Sequence, residues 1–170
     1  EEYYKDGADK GINISYVTEK EPLGTIGAVK QINHFHNDYI LVMNSDLLTN
    51  INLEAMFNEL VINNADMIVA TIDYQVQIPY GIVESNGNKI TKLKEKPTYT
   101  YHSNAGIYIF KKEMIDFIPE NKHFNATDLL EKGIELKKSI LHYSINNYWL
   151  DIGKHKDFEK AQRDVKNIKF

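Results

Sequence analysis

Two aspartates, a Glu-Lys pair and two spaced glycines are the residues of this chain whose setting could support chemistry. Asp46 follows the apolar run Tyr39 to Met43 (YILVM), with only Asn44 and Ser45 between. In an open α/β sheet ligands bind beyond the carboxyl ends of the strands, which makes Asp46 a candidate metal ligand. An Asp that simply caps a loop or helix has the same local signature. Asp151 lies in Tyr148-Trp149-Leu150-Asp151-Ile152-Gly153, just before a helical stretch, where it could equally be a cap. Two carboxylates on separate loops can hold one hard cation such as Mg²⁺, which keeps several waters and bridges phosphates.

Glu95-Lys96-Pro97 closes a strand carrying Ile90 and Leu93. A lysine at such a rim can neutralise a phosphate as a point charge, and the neighbouring glutamate can accept hydrogen bonds from sugar hydroxyls. Taken alone, the tripeptide reads as a solvated turn. Gly24 and Gly27, in Pro22-Leu23-Gly24-Thr25-Ile26-Gly27-Ala28, would let a base or ribose approach the backbone at a helix start. Glycines before helices are ordinary, so this pair does not identify a site by itself.

The elements that must position these residues alternate in period. Ile12 to Thr18 (INISYVT) is β-rich and reads as a strand, and Ile26, Val29, Ile32 and Phe35 mark one helical face. Tyr39 to Met43 reads as a strand buried on both faces. Leu53, Met56, Phe57, Leu60 and Val61 predict a helix over Asn52 to Asn63, with Asn52 as its cap, and Met67 to Ile72 is the next strand. This βαβαβ order predicts an α/β domain. Gly81 to Glu84, Lys89 to Leu93 and Ala105 to Phe110 then read as antiparallel strands, with a hairpin at Asn86-Gly87. Thr127 to Leu136 and Lys154 to Asp164 are helical, with a strand over Ile140 to Ile145 between them.

Composition bounds the function. With 170 residues, 42% of them hydrophobic and 26% charged, the chain can bury one core and reads as a single domain, 1–170. A net charge of −4 argues against nucleic-acid binding. There is no cysteine, which excludes disulfides and thiolate chemistry and fits a cytoplasmic setting. No apolar run approaches a membrane span.

Seven segments in order resemble the sugar-1-phosphate nucleotidyltransferase family: EPLGTIGA (21–28), LVMNSDLLT (41–49), YGIVE (80–84), ITKLKEKP (90–97), SNAGIYIF (103–110), NATDLL (125–130) and YWLDIGKHKDFEKA (148–161). The likeness covers Ile12 to Asp164. It implies a mixed, mainly parallel Rossmann-like sheet with helices on both faces and an antiparallel sugar-binding portion. It also implies residue roles. Leu23, Gly24 and Gly27 match the nucleotide-base loop; Asp46 and Asp151 match the two Mg²⁺ ligands; Lys96 matches the lysine that holds the sugar phosphate. Gly81, Glu95 and Asn104 match sugar-binding positions, with Ala105 and Gly106 shaping that wall, and Trp149 reads as packing.

The reaction implied is attack of a sugar 1-phosphate oxygen on the α-phosphorus of an NTP, with pyrophosphate leaving. The PLGT form of the base loop looks more like guanylyltransferases, and like relatives acting on mannose or glucosamine 1-phosphate, than like thymidylyltransferases, which favours GTP. The family opens with a GGxGxRL loop that grips the triphosphate. That motif does not occur in this sequence, whose sole arginine is Arg163. The expectation is therefore an N-terminally truncated domain, inactive or severely impaired alone, whose exposed sheet edge favours homo-oligomers. Three rival readings stand beside the enzyme: a non-catalytic ligand-binding or regulatory subunit, a glycosyltransferase, which would want Asp-x-Asp where Ser45-Asp46-Leu47 stands, and a dinucleotide-binding oxidoreductase, which lacks GxGxxG.

Overall fold

A computed structural model describes residues 1–169. Its centre is a four-stranded sheet built from β1 (Tyr39–Met43), β3 (Met67–Gln77), β6 (Thr98–Lys111) and β7 (Ile140–Ser144), in the order β1-β6-β3-β7. β7 runs parallel to β3, whereas β6 lies antiparallel between β1 and β3. Three of the four strands thus point the same way, and β6 is the antiparallel element inserted among them.

Alternation along the strands divides the apolar side chains between two faces, as the period of 2 requires. Met67, Val69, Tyr108 and Phe110 face one core with Ile40, Met114 and Leu129; Ile68, Ala70, Ile107 and Ile109 face the other with Met56 and Leu60. Helix α2 (Ala126–Glu135) covers the first face and α1 (Leu53–Ile62) the second. Asn52 caps α1 as its sequence position predicts, its side chain accepting from the Ala55 N–H at 2.9 Å. Helix α3 (His155–Asp164) follows the short ribbon of β2 (Leu47–Thr49) with β8 (Trp149–Asp151). Among the described residues no helix is long and apolar enough to cross a membrane.

β4 (Ile82–Asn86) and β5 (Lys89–Lys94) form a separate hairpin. Asn86 pairs with Lys89, so the two-residue loop is Gly87-Asn88, one residue later than the sequence signal, with Gly87 at φ +57°.

Three expectations change. Ile12 to Thr18 belongs to no sheet, and Ile12, Tyr16 and Val17 are exposed: β-propensity records fitness for a pleated surface, and no strand lies beside this segment to supply one. The helical face from Ile26 to Phe35 shortens to a 3₁₀ turn, Gly27–Gln31, although Ile26 is buried and Val29 and Phe35 pack on the first core. Strand β1 is an edge strand rather than one buried on both faces. Ile40 is buried but Leu41 and Met43 are 47% and 40% exposed, beside a groove of about 560 Å³ lined by Leu53, Phe57 and Ile109.

Candidate functional site

The two aspartates meet through backbone pairing. Asn44-Ser45-Asp46 carries the chain from β1 into β2, and β2 pairs antiparallel with β8 so that Leu47 faces Asp151. The Ile152 N–H donates to the Asp46 carbonyl at 2.8 Å. Asp46 therefore sits one step from the partner of Asp151, and both are exposed. Trp149, in the same ribbon, donates its Nε1–H to the Ala105 carbonyl at 2.9 Å, which pins the ribbon to β6. Two exposed carboxylates, one in the turn entering β2 and one at the end of β8, suit a cation that fills its remaining positions with water and phosphate. Among the described residues no three His, Asp or Glu side chains are grouped as a metal cage.

Beside this ribbon stands Asn104. Its Oδ1 accepts from the Gly106 N–H at 2.9 Å and its Nδ2 donates to the Tyr108 hydroxyl at 2.7 Å, so both ends of the amide are fixed. Burial pushes the Tyr108 hydroxyl above its usual range, and the Asn104 hydrogen bond opposes the shift. Gly106 is at φ +74°, and a Cβ there would stand 2.7 Å from Asn44 Nδ2; its carbonyl accepts from the Asn44 N–H at 2.9 Å. Asn44 and Tyr108, passed over in the sequence, thus join the end of β1 to the Asn104 wall. Their signal was present within LVMNSDLLT and SNAGIYIF.

Glu95 and Gly81 are also brought together, since a Cβ on Gly81 would lie 3.0 Å from Glu95 Oε2. Lys96 is exposed and holds φ +41°, in the left-handed region that side chains avoid. The turn is closed by the Ile78 N–H donating to the Pro97 carbonyl at 3.0 Å. On the adjoining hairpin Lys94 Nζ meets Glu84 Oε1 at 2.7 Å. That hydrogen bond and its charge hold Glu84 below the usual carboxylate range and Lys94 above its own.

Loop 23–27 is fastened to the start of α2. The Ile26 and Gly27 N–H groups donate to the Phe124 carbonyl at 3.2 and 3.1 Å, and the Phe124 N–H donates to the Leu23 carbonyl at 2.8 Å. Thr25 Oγ1 accepts from the Ala126 N–H at 2.9 Å, and Asp128 reaches back to the Asn125 N–H at 2.7 Å in a capping box. Leu23 lines a pocket of about 410 Å³ with Thr18, Lys20, Glu21, Gln31 and Asn121. The sequence-predicted residues thus form three groups, each held by its own contacts: Asp46, Asp151, Asn104 and Gly106 around the β2-β8 ribbon; Gly81, Glu95 and Lys96 at the hairpin; Leu23, Gly24 and Gly27 on α2.

Comparison with known proteins agrees with this architecture. The chain is 31% identical over 163 residues to D-glycero-alpha-D-manno-heptose 1-phosphate guanylyltransferase of Aneurinibacillus thermoaerophilus, covering 92% of this chain and 69% of that protein. A UTP–glucose-1-phosphate uridylyltransferase of Synechocystis is 29% identical, covering 99% of this chain and 50% of that one. A mannose-1-phosphate guanylyltransferase of Mycobacterium tuberculosis is 28% identical, covering 95% and 47%. The chain thus spans about half the length of the latter two. The crystal structure of a putative glucose-1-phosphate thymidylyltransferase from Bacillus anthracis superposes with a TM-score of 0.74 at 19% identity, covering 99% of this chain and 72% of that one; it shows the fold. With the nucleotidyl transferase family model matching residues 1–168, nearly its whole length, the chain belongs to that family.

Proposed function

We propose that this chain is the catalytic region of an enzyme that joins an NTP, GTP in preference, to a sugar 1-phosphate and releases pyrophosphate. The observation that carries the reading is the β2-β8 pairing, which sets Asp46 beside Asp151 at the carboxyl end of β1, with Asn44 linking that end to the Asn104 wall. The guanylyltransferases among its relatives support the base preference.

Such a reaction asks the protein for positioning and charge compensation more than for covalent work. Lys96, exposed at the rim, places its ammonium against the sugar phosphate and orients the attacking oxygen. Glu95 and Asn104 accept and donate hydrogen bonds to sugar hydroxyls, with Gly81 leaving room for the ring. Leu23 and the backbone of loop 23–27 receive the base. Mg²⁺, held by Asp46 and Asp151, would supply neutralisation of phosphate charge.

The test is pyrophosphate release by the natural full-length protein, with GTP, UTP and TTP each paired with mannose, glucose and heptose 1-phosphates. Mg²⁺-dependent release is expected, fastest with GTP. Asp46→Asn and Asp151→Asn should each lower turnover by about 100-fold or more at unchanged circular dichroism. Full activity in either variant refutes the assignment of the aspartates, and UTP or TTP ahead of GTP refutes the base.

A further inference from the structure

Beyond the irregularity opposite Val69 and Thr71, β3 and β6 continue as a ladder in which Thr71 faces Asn104 and Asp73 faces His102. On the other side of β3, Val69 faces His142 and Thr71 faces Ser144. Positions directly opposite, or two apart on one strand, share a face, so these side chains form one polar surface that runs on from Asn104. They are joined to one another. His102 Nδ1 lies 3.0 Å from Asp73 Oδ1, and Ser144 Oγ donates to the same oxygen at 3.4 Å. His142 Nδ1 lies 3.2 Å from Thr71 Oγ1, and the two imidazoles sit with centroids 4.5 Å apart. The side chains of His102 and Asp73 are 50% and 53% exposed.

Of the residues so joined only Thr71 is buried, and none of the contacts belongs to the groups described above. Each imidazole has its Nδ1 engaged, which leaves Nε2 for a ligand. A neutral imidazole donates through one nitrogen and accepts through the other, and a carboxylate accepts. This set matches hydroxyls, each of which is both donor and acceptor. It does not match a phosphate, which the Asp73 carboxylate would repel.

We propose that Asp73, His102 and His142 form a shelf that reads the hydroxyls of the sugar's exocyclic carbon chain and so decides which sugar 1-phosphate is accepted. The proposal rests on the function proposed above, in which Asn104 stands against the sugar ring. His102 lies two residues before Asn104 on β6, about 7 Å along the strand. That step carries recognition from the ring to the carbons beyond it, where a heptose differs from a hexose and a hexose from its 6-deoxy analogue.

The experiment is steady-state kinetics on the full-length protein with heptose, mannose and 6-deoxymannose 1-phosphates. His102→Ala, Asp73→Asn and His142→Ala are compared with wild type, with melting temperatures as the control for folding. Loss of one hydrogen bond should raise KM about three- to tenfold for the sugar with the longest exocyclic chain. KM for 6-deoxymannose 1-phosphate should stay within about twofold, with kcat and the KM for NTP unchanged. His102→Gln, which keeps a donor near the Nε2 position, should recover part of the loss. Equal KM changes for all three sugars, or changes confined to kcat or the NTP, overturn the shelf. If wild type turns over no sugar 1-phosphate, and Lys96→Ala is no different, the proposed function falls and the shelf falls with it.

Discussion

Lys96 offers a test in which stability and activity should move in opposite directions. Its φ of +41° lies in the left-handed region, immediately before Pro97, and a proline further restricts the residue ahead of it. For an L residue that conformation costs about 1–2 kcal/mol. Replacing Lys96 by Ala keeps the Cβ and keeps the cost, whereas glycine removes the clash but adds about 0.5–1 kcal/mol of unfolded-chain entropy. The difference leaves Lys96→Gly more stable than Lys96→Ala by about 0.5–1 kcal/mol. In a chain of 170 residues that is about 1–4 °C in melting temperature. Both variants lose the ammonium equally. A hydrogen bond to a charged group contributes about 1.5–3 kcal/mol, so kcat/KM for the sugar 1-phosphate should fall about 10- to 150-fold in each. Lys96→Arg should not restore it, because a planar guanidinium does not replace a point charge on a flexible stem. Urea or thermal unfolding beside pyrophosphate release reads both effects. A glycine variant less stable than the alanine variant refutes the strain argument, and an alanine variant with wild-type kcat/KM refutes the role of the charge.

Two further outcomes follow from glycines and from Tyr148. At Gly24, φ is +79° and a Cβ would stand 2.7 Å from the Phe124 carbonyl oxygen, so Gly24→Ala should cost about 2–4 kcal/mol in denaturant unfolding and speed hydrogen exchange at the Ile26 and Gly27 amides. Unchanged exchange there would show that the loop tolerates the methyl group. Tyr148, shielded in part beneath α3 and bonded at 2.5 Å to Asp164, has its hydroxyl pushed up to about 12, by burial first and then by the Asp164 hydrogen bond and charge. The protonated phenol is the form the fold favours. Its stabilisation is whole below the ordinary value near 10 and is lost as pH rises towards 12. Tyr148→Phe should lose about 1 kcal/mol at pH 8, a deficit that shrinks when unfolding is measured between pH 10 and 11; a deficit that grows would reverse the assignment.

Local pattern was enough for the three α-helices and for the existence of most strands, but not for the helix expected from Ile26 to Phe35, which is only a 3₁₀ turn. Asn52 and the apolar face of α1 can be read directly, because a cap and a 3.6 period concern residues within one element. Neighbours are a different matter. Tyr39 to Met43 has the composition of a strand covered on both faces, yet Leu41 and Met43 are exposed, since burial depends on what lies alongside. Leu47 to Thr49 offers too few residues to mark a strand, and only its pairing with β8 gives it that form. Pairing the aspartates as ligands of one cation was an expectation that the family resemblance supplied, whereas the ribbon that brings their backbones together links positions about a hundred residues apart and has no local signal. The polar shelf was wholly hidden, its members being drawn from β3, β6 and β7.

The glycines show how a residue read for one purpose can be required by another. Gly24 and Gly27 could admit a base or could simply precede a helix. Their missing Cβ atoms would point into the chain's own backbone, at Phe124 for one and at Lys122 for the other. The Ile26 and Gly27 N–H groups are already spent on the Phe124 carbonyl. Packing of the loop on α2 therefore demands glycine at both positions whether or not a nucleotide binds, and a substitution at either would lower nucleotide affinity by unfolding the loop. Lys20 can separate the two roles, because its exposed side chain lines the same pocket as Leu23, whereas Leu23 itself is buried. A change confined to that side chain reads ligand contact while the two glycines keep the loop in place.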